Sequence, residues 1–291
     1  MKKEQKIIVI SGPTASGKSG LAVKWAKQYG GAVINADALQ IYNSLPILSA
    51  QPSLAERQDI LHYLYGEFSY QQQCSVAVWL ELVKESILSC FSQNLLPIVV
   101  GGTVLYLSAL LDGINFIPVI EQKFIQQAED LYLELEQQKF IQQFVGDSGN
   151  IIDKQKLIRY ASVYLQTNKK MDFWHNQPKI KIFPQAEFLH YTIKLSREQL
   201  YENCNLRFRK MIEQGAILEV EKALPNIMDS NSSVKKTIGF AEISQYLQGE
   251  ISLESACNLA SQKTRNYAKR QLTWINNRFS TAVGIGINSP M

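Results

Sequence analysis

One short stretch near the start of the sequence has the residue types and spacing of a phosphate-binding loop. In the pattern G-x-x-x-x-G-K-[ST], backbone N–H groups surround phosphate oxygens, the lysine adds a positive charge, and the hydroxyl ligates a divalent ion. The pattern predicts a phosphate site with Lys18 as a phosphate contact and Ser19 as a Mg²⁺ ligand, directly or through water. An ordinary glycine turn is the alternative. The matching residues are Gly12, Pro13, Thr14, Ala15, Ser16, Gly17, Lys18 and Ser19.

The acid that usually accompanies such a loop is missing from its expected place. Nucleotide hydrolases and kinases carry an acid at the end of a neighbouring strand, where it holds hydrated Mg²⁺. Here the apolar segment PIVV ends in Gly101, Gly102 and Thr103, and the nearest acid after a strand-like segment is Asp37, behind AVIN. Asp37 is open to three interpretations: a proton acceptor, a magnesium ligand or an N-cap. Thr103 is either a helix N-cap or a contact to an anionic ligand.

The elements that must position these residues alternate along the first 110 residues. Strands are expected at IIVIS, AVIN and PIVVG, and helices at residues 18–29, at 76–91 and from 104 onward. Short apolar strands separated by helices indicate a parallel sheet with both faces covered. Ligands bind such sheets at the carboxyl ends of the strands, which is where the glycine loop and the strand-end residues fall.

The pattern changes near Pro118. A glutamine-rich helical stretch follows (EQKFIQQAEDLYLELEQQKFIQQF), then a helix at 153–166, before the strand-like EFLHYTIKL begins at Glu187. We therefore expect an α/β fold with a P-loop-type parallel sheet core flanked by helices, over residues 1–114 and 188–291. An inserted helical domain would occupy 115–187. The C-terminal region is expected to be helical, at residues 197–214, 216–223, 239–247 and 253–278.

Composition and cysteine usage limit the classes of protein. Hydrophobic residues make up 46% and charged residues 19% of the 291 residues. No apolar run reaches the ~18 residues of a membrane span, so no membrane partner is expected. Four cysteines without a C-x-x-C pair argue against a structural zinc site and a disulfide framework. A reducing cytoplasm is the expected compartment.

The positive charge is concentrated at the C-terminal end. The formal net charge is +4, and from residue 231 onward seven lysines and arginines stand against three acids, which equals the whole excess. A local basic face suggests a polyanionic partner such as nucleic acid. A solvated helix face rich in lysine and arginine is the alternative.

Taken together, the motifs resemble the tRNA dimethylallyltransferases, also called tRNA isopentenyltransferases. The resemblance implies transfer of a dimethylallyl group from dimethylallyl diphosphate, with Mg²⁺, to the exocyclic amine of the adenosine 3′ of the tRNA anticodon. It also implies that the phosphate loop holds a diphosphate leaving group, which makes an acid after PIVV unnecessary. We expect a monomer that binds the anticodon stem-loop. The matching stretches, within residues 7–278, are GPTASGKS, INADALQIY, PIVVGGTVLYLSALLDGI, LRFRKMIEQGAILEVE, TIGFAEISQYLQGEIS and TRNYAKRQLTWINNR.

The resemblance also assigns roles to individual residues. The loop would cradle the diphosphate, with Lys18 and Arg207 meeting its charge. Asp37 would accept the amine proton, and Thr103 would lie at the reacting centre. Asp37, Ala38, Leu39 and Gln40 would contact the base, with Gln40 as a reader of the base edge. The remaining expected tRNA contacts are Gln155, Lys156, Leu157, Ile158 and Arg159 in the inserted domain, and Lys236, Gly239, Arg265, Lys269 and Arg270 in the core.

Some positions depart from the common family pattern. A separate question is whether the aromatic side chain of Trp274 belongs to the core or contacts RNA. Gln51, Tyr63, Gly66 and Ala241 stand where a lysine, a histidine, an aspartate and an arginine are common. Trp274, close to the basic helix residues, is interpreted as a core side chain rather than an RNA contact.

Three other functions are weighed against this one. A P-loop kinase of a small metabolite predicts an acid near VVGG. An adenylate isopentenyltransferase, which makes cytokinins, would need neither the inserted domain nor the basic C-terminal helix. A non-catalytic RNA-binding module would leave Asp37 and Thr103 without a purpose.

Overall fold

The computed structural model describes residues 5–146, 153–228, 230 and 232–291, and the chain divides into two compact units. Unit 1 contains Met1–Leu111 and Ile182–Met291, and unit 2 contains Asp112–Lys181. We expected the inserted domain at 115–187. The corresponding unit 2 begins and ends a few residues earlier in the sequence, at Asp112 and Lys181. Ile114–Asn115 pairs with Lys179–Ile180 inside unit 2, whereas Phe183 packs edge-on against Phe91 of unit 1.

The core of unit 1 is a six-stranded sheet in which every neighbouring pair is parallel. Its order is β3-β2-β4-β1-β7-β8, and β5 and β6 form a separate antiparallel pair in unit 2. The predicted parallel sheet is therefore confirmed. The strands are β1 Lys6–Ser11, β2 Gly31–Asn35, β3 His62–Tyr63, β4 Leu96–Gly101, β5 Ile114–Asn115, β6 Lys179–Ile180, β7 Glu187–Ile193 and β8 Val283–Ile285.

Helices flank this sheet and make up most of unit 2. Within the described residues, none is both long and apolar enough to cross a bilayer. A π-helical turn covers Ile141–Val145, and a 3₁₀ turn covers Ser233–Lys236. The α-helices are α1 Lys18–Tyr29, α2 Leu54–Arg57, α3 Val76–Ser92, α4 Val104–Asp112, α5 Gln122–Glu134, α6 Gln137–Phe140, α7 Lys154–Thr167, α8 Met171–His175, α9 Arg197–Glu213, α10 Ala216–Ile227, α11 Phe240–Leu247 and α12 Leu253–Arg278.

The glutamine-rich stretch of unit 2, which we expected to be helical, is interrupted after α5. The backbone is extended at Leu135 (φ −96°, ψ 145°), which separates α5 from α6. After the break, Phe140 and Phe144 are fully buried in a cluster with Leu157 of α7. Burying a phenylalanine side chain stabilises by about 1.5–3 kcal/mol, which offsets the helical hydrogen bonds lost at the break.

Candidate active site

The phosphate loop connects β1 to α1 through two left-handed residues. Ala15 has φ 61° and Gly17 has φ 82°, so the chain turns sharply before α1 begins at Lys18. The Ser16 hydroxyl is buried, and it has no hydrogen-bond partner within the described part of the chain. A buried hydroxyl of this kind is satisfied when a ligand oxygen accepts its hydrogen. The loop therefore has the local geometry of an anion site.

Side chains from two distant helices hold this loop. Arg207 of α9 donates from Nη1 to Thr14 Oγ1 at 2.9 Å, and Asn203 of the same helix donates to the Ala15 carbonyl at 3.1 Å. Gln271 of α12 accepts the Thr14 N–H at 2.8 Å. Arg207 was predicted from its motif, whereas Asn203 and Gln271 were not, because a single polar residue in a helix has no local signature.

Lys18 is buried within the loop. Its Nζ donates to the Pro13 carbonyl at 3.2 Å, and the residue is 8% exposed. Burial lowers the pKa of Lys18 to about 8, Asp37 raises it in opposition, and Arg207 lowers it further. Burial also lowers the pKa of Arg207, again against the attraction of Asp37. Two desolvated cations thus face one carboxylate, and a bound anion would compensate their charge.

Asp37 lies just after β2 in a tight turn. One carboxylate oxygen, Oδ1, accepts the Leu39 N–H at 3.0 Å, while the Asp37 N–H donates to Asn35 Oδ1 at 2.8 Å. Thr103 Oγ1 accepts the Ala38 N–H at 3.0 Å. Asp37 therefore caps its own turn with Oδ1, and Thr103 holds that turn from the end of β4.

Close contacts, to backbone at Gly101 and mainly to a side-chain amide at Gly102, explain the two glycines before Thr103. A Cβ at Gly101 would lie 2.1 Å from the Ala36 carbonyl oxygen. A Cβ at Gly102 would lie 2.3 Å from Gln271 Nε2 and 3.0 Å from the Gly12 carbonyl oxygen. The GGT segment thus lets the end of β4 fit between the Asp37 turn and the phosphate loop.

One cavity of about 980 Å³ brings several predicted residues together. It is lined by Lys18, Ser19, Asp37 and Arg207, among others. Thr103 is not part of its lining. Its hydroxyl accepts the Ala38 N–H and so contacts the turn that carries Asp37, which does line the cavity. A smaller cavity of about 60 Å³ is lined by Asp37 and Arg207 together with Leu48, Phe208 and Tyr267. The larger cavity has the size of a typical small-molecule site.

The large cavity is positively charged overall. In addition to Lys18 and Arg207 it is lined by Arg57 and Lys210, which the sequence analysis did not single out. The acids in its lining are Asp37 and Glu56. Four cations against two carboxylates give a local field that concentrates anions.

Another part of the cavity lining comes from the loop at residues 46–50, which the half-buried Glu219 and the buried Gln40 hold in place. Glu219 of α10 accepts the N–H groups of Ile47 at 2.7 Å and Leu48 at 2.9 Å. Burial raises the pKa of Glu219, and these two backbone bonds lower it in part. Gln40 donates from Nε2 to the carbonyls of Ser49 at 3.0 Å and Ala50 at 2.9 Å.

These contacts change the interpretation of Gln40. Both hydrogens of its amide are committed to backbone carbonyls, and the residue is 8% exposed. Gln40 therefore holds the wall of the pocket, and its amide N–H groups are not available to read a base edge. Ala38 and Leu39 are half-buried beside it.

Besides Gln40, three of the expected tRNA contacts are buried. Leu157 and Ile158 are 0% and 8% exposed in the core of unit 2, so the side chains of that stretch that reach solvent belong to Gln155, Lys156 and Arg159. Gly239 is buried at φ 99°, and its N–H donates to Glu242 at 2.9 Å. A Cβ there would lie 2.7 Å from Phe208, so tight packing explains the glycine at this position.

The basic residues of the core divide into two groups. Arg265 donates to Asn205 at 2.5 Å and is therefore engaged within unit 1. Lys236, Lys269 and Arg270 are exposed. Trp274 is 63% exposed, so its interpretation as a core side chain was wrong. The buried face of α12 includes Ala268, Gln271 and Ile275, and Trp274 lies beside that face.

Comparison with known proteins gives consistent matches. The family model described as IPP transferase matches residues 40–278, and the one described as isopentenyl transferase matches residues 5–68. The tRNA dimethylallyltransferase of Pelagibacter ubique is 41% identical over 291 residues, which cover 98% of this chain and 93% of that protein. The tRNA dimethylallyltransferase of Orientia tsutsugamushi (strain Ikeda) is 36% identical, with 94% and 92% covered.

A solved structure agrees with the sequence matches. The full-length tRNA isopentenylpyrophosphate transferase from Bacillus halodurans matches with a TM-score of 0.70 at 26% identity, covering 98% of this chain and 90% of that one. The family model spans most of the chain, and both relatives exceed 30% identity over nearly its full length. The chain therefore belongs to the tRNA dimethylallyltransferase family.

Proposed function

We propose that this protein transfers a dimethylallyl group from dimethylallyl diphosphate to the exocyclic amine of the adenosine 3′ of the anticodon in tRNA. The observation that carries the proposal is a single cavity lined by the phosphate loop, Asp37 and Arg207. Such a transfer needs a cradle for a departing diphosphate and a proton acceptor within one site. The names of the relatives from Pelagibacter and Orientia support the same reaction.

The phosphate loop would bind the donor. Its backbone N–H groups and the Ser16 hydroxyl would donate to diphosphate oxygens, although the Thr14 N–H is already used by Gln271. Lys18 and Arg207 would meet the negative charge that grows on the diphosphate as the allylic C–O bond breaks. These groups are held in place before the ligand arrives, so little reorganisation accompanies the reaction.

The loop residues also fit a magnesium ion. Ser19, whose side chain carries a hydroxyl, lines the cavity, and magnesium prefers oxygen ligands shared with substrate phosphates. We propose that Ser19 holds Mg²⁺, directly or through water. When bound, the ion supplies positive charge to the diphosphate oxygens.

Asp37 would serve the acceptor. The adenine amine nitrogen forms a bond to the allylic carbon, diphosphate leaves with the electrons of the broken C–O bond, and Asp37 takes the amine proton. Thr103 would act on the same side by holding the turn that carries Asp37. The adenosine must leave its stack to reach this cavity, as in other enzymes that act on a base.

The tRNA backbone would be bound by exposed cations. In unit 1 these are Lys236, Lys269 and Arg270, and in unit 2 they are Lys156 and Arg159. Phosphate contacts of this kind position an RNA without reading its sequence. We propose that the protein binds the anticodon stem-loop in this way, as a monomer in the cytoplasm.

The test is incubation of the purified protein with dimethylallyl diphosphate, Mg²⁺ and unmodified tRNA, followed by mass spectrometry of the nucleosides. We expect an isopentenylated adenosine, located 3′ of the anticodon. A tRNA in which that adenosine is replaced by guanosine is the matched control. Preferential modification of free adenine nucleotides, or turnover of a nucleoside triphosphate with unmodified tRNA, would overturn the proposal.

A further inference from the structure

Gln271 of α12 links the two loops on which the proposed site depends. The side chain is 5% exposed, its oxygen accepts the Thr14 N–H at 2.8 Å, and its nitrogen donates to the Gly102 carbonyl at 2.9 Å. Thr14 belongs to the phosphate loop, and Gly102 directly precedes Thr103. One carboxamide therefore joins the donor side of the cavity to the segment that holds the acceptor side.

The surrounding backbone is shaped to fit this carboxamide. A Cβ at Gly102 would lie 2.3 Å from Gln271 Nε2, so glycine at that position leaves room for the amide in its observed place. The bridge uses an acceptor toward Thr14 and a donor toward Gly102. Among side chains of this length, only an amide supplies both with a fixed orientation.

Each end of the bridge leads directly to a residue of the proposed site. The Thr14 hydroxyl accepts from Arg207 at 2.9 Å, so the orientation of Thr14 sets where the guanidinium lies. The Thr103 hydroxyl accepts the Ala38 N–H at 3.0 Å, so the position of Gly102 and Thr103 sets the turn that carries Asp37. Displacements of about 1 Å in such an arrangement cost up to ~100-fold in rate.

We propose that Gln271 is a positioning residue that keeps the phosphate loop and the Asp37 turn at the spacing the transfer requires. The inference rests on the proposed function and extends it to a residue that touches neither donor nor acceptor. It acts through Thr14 on one side and through Gly102 on the other.

The test compares Gln271→Met with Gln262→Met. Methionine has a similar length but makes neither hydrogen bond, and Gln262 lies exposed on the same helix. We expect Gln271→Met to lower kcat by about 10- to 100-fold, since misplacement of reacting groups affects the chemical step, with KM for tRNA within about twofold of wild type. Gln262→Met should match wild type. A kcat of Gln271→Met within twofold of wild type would overturn the inference.

Gly102→Ala provides a second variant in case Gln271→Met folds poorly. It leaves Gln271 intact and displaces its amide, because the new methyl group would overlap Nε2. We expect the same loss of kcat with folded protein verified by circular dichroism. Full activity of Gly102→Ala would contradict a role for this bridge.

Binding of inorganic diphosphate with Mg²⁺, measured by calorimetry, separates this inference from the proposed function. We expect about tenfold weaker binding by Gln271→Met, and unchanged binding by Gln262→Met. If the wild-type protein leaves tRNA unmodified, the proposed function fails, and the diphosphate comparison still tests the position of the phosphate loop. Wild-type diphosphate affinity in Gln271→Met, together with weaker tRNA binding, would overturn the inference.

Discussion

The two walls of the large cavity are built in opposite ways. The phosphate loop holds a buried lysine whose pKa burial lowers to about 8, and a buried Ser16 hydroxyl without a partner in the described chain. The wall at residues 46–50 has its backbone groups bonded within the protein, by Glu219 and Gln40. The phosphate loop thus contains buried polar groups that lack full compensation within the protein. The backbone groups of the 46–50 wall that bind Glu219 and Gln40 are compensated by those side chains.

This difference indicates how each wall meets a ligand. Unpaired donors and desolvated cations become favourable when an anion binds, so the phosphate loop is prepared for a charged group. The 46–50 wall has little hydrogen-bonding capacity left in these groups, and it contributes shape through Pro46, Ile47 and Ala50. Recognition by charge on one side and by shape on the other suits a donor diphosphate and a planar base.

The largest expected effect tests whether the chemistry of the acceptor side rests on Asp37. We expect Asp37→Asn to lower kcat by about 10³-fold, because the amide cannot take a proton, while tRNA still binds. The measurement is single-turnover transfer to tRNA together with filter binding. Asp59→Asn, at an exposed loop position, is the control. Near-normal kcat in Asp37→Asn would rule out its role as the base.

A pH profile tests whether donor binding depends on the protonated form of Lys18 in the phosphate loop. The Lys18 pKa is lowered to about 8, so kcat/KM for the donor should be constant below pH 8 and fall about tenfold per pH unit above it. Lys18→Arg should remove this decline, because arginine stays protonated. An equal decline in both proteins would assign the ionisation to another group.

The same pKa shift predicts the stability of the ligand-free protein. The folded state binds fewer protons than the unfolded state between pH 8 and the ordinary lysine pKa of 10.5. The contribution of Lys18 therefore makes the free energy of unfolding rise with pH in that window. Urea unfolding of wild type and Lys18→Met across this range measures the difference.

Glu219→Ala tests the internally bonded wall. Removing the carboxylate leaves the N–H groups of Ile47 and Leu48 without their acceptor, and we expect a loss of about 1–3 kcal/mol in the free energy of unfolding. Glu221→Ala, exposed on the same helix, should stay within about 0.5 kcal/mol of wild type. Equal effects from the two variants would mean that the wall does not depend on Glu219.

The smallest expected effect concerns the exposed cations of α12, which lie outside the lining of the large cavity. Lys269→Ala combined with Arg270→Ala should raise KM for tRNA about tenfold, leave kcat at saturating tRNA unchanged, and reduce the salt dependence of binding. Lys24→Ala with Lys27→Ala, exposed on α1, is the charge-matched control. A loss of kcat rather than of affinity would place Lys269 and Arg270 inside the reaction.

Parts of the fold and site were predictable from the sequence, and other parts were missed for different reasons. The apolar runs of β1, β2 and β4 predicted a sheet covered on both faces, and the structure confirms it. The strand β8 was missed, because three residues carry no periodic signal. The break at Leu135 was missed because the burial of Phe140 and Phe144, not local propensity, favours it.

The sequence by itself determined the phosphate loop, the parallel sheet and the family, since these depend on local spacing and on contiguous motifs. Only the tertiary structure decided what Gln40, Gly239, Trp274 and Gln271 do. Their roles depend on burial and on packing partners, which for Gln271 lie far away in the chain: Thr14, to which it bonds, is 257 residues away. A local pattern predicts which residue types are present, whereas burial and hydrogen-bond partners are set when distant segments pack together.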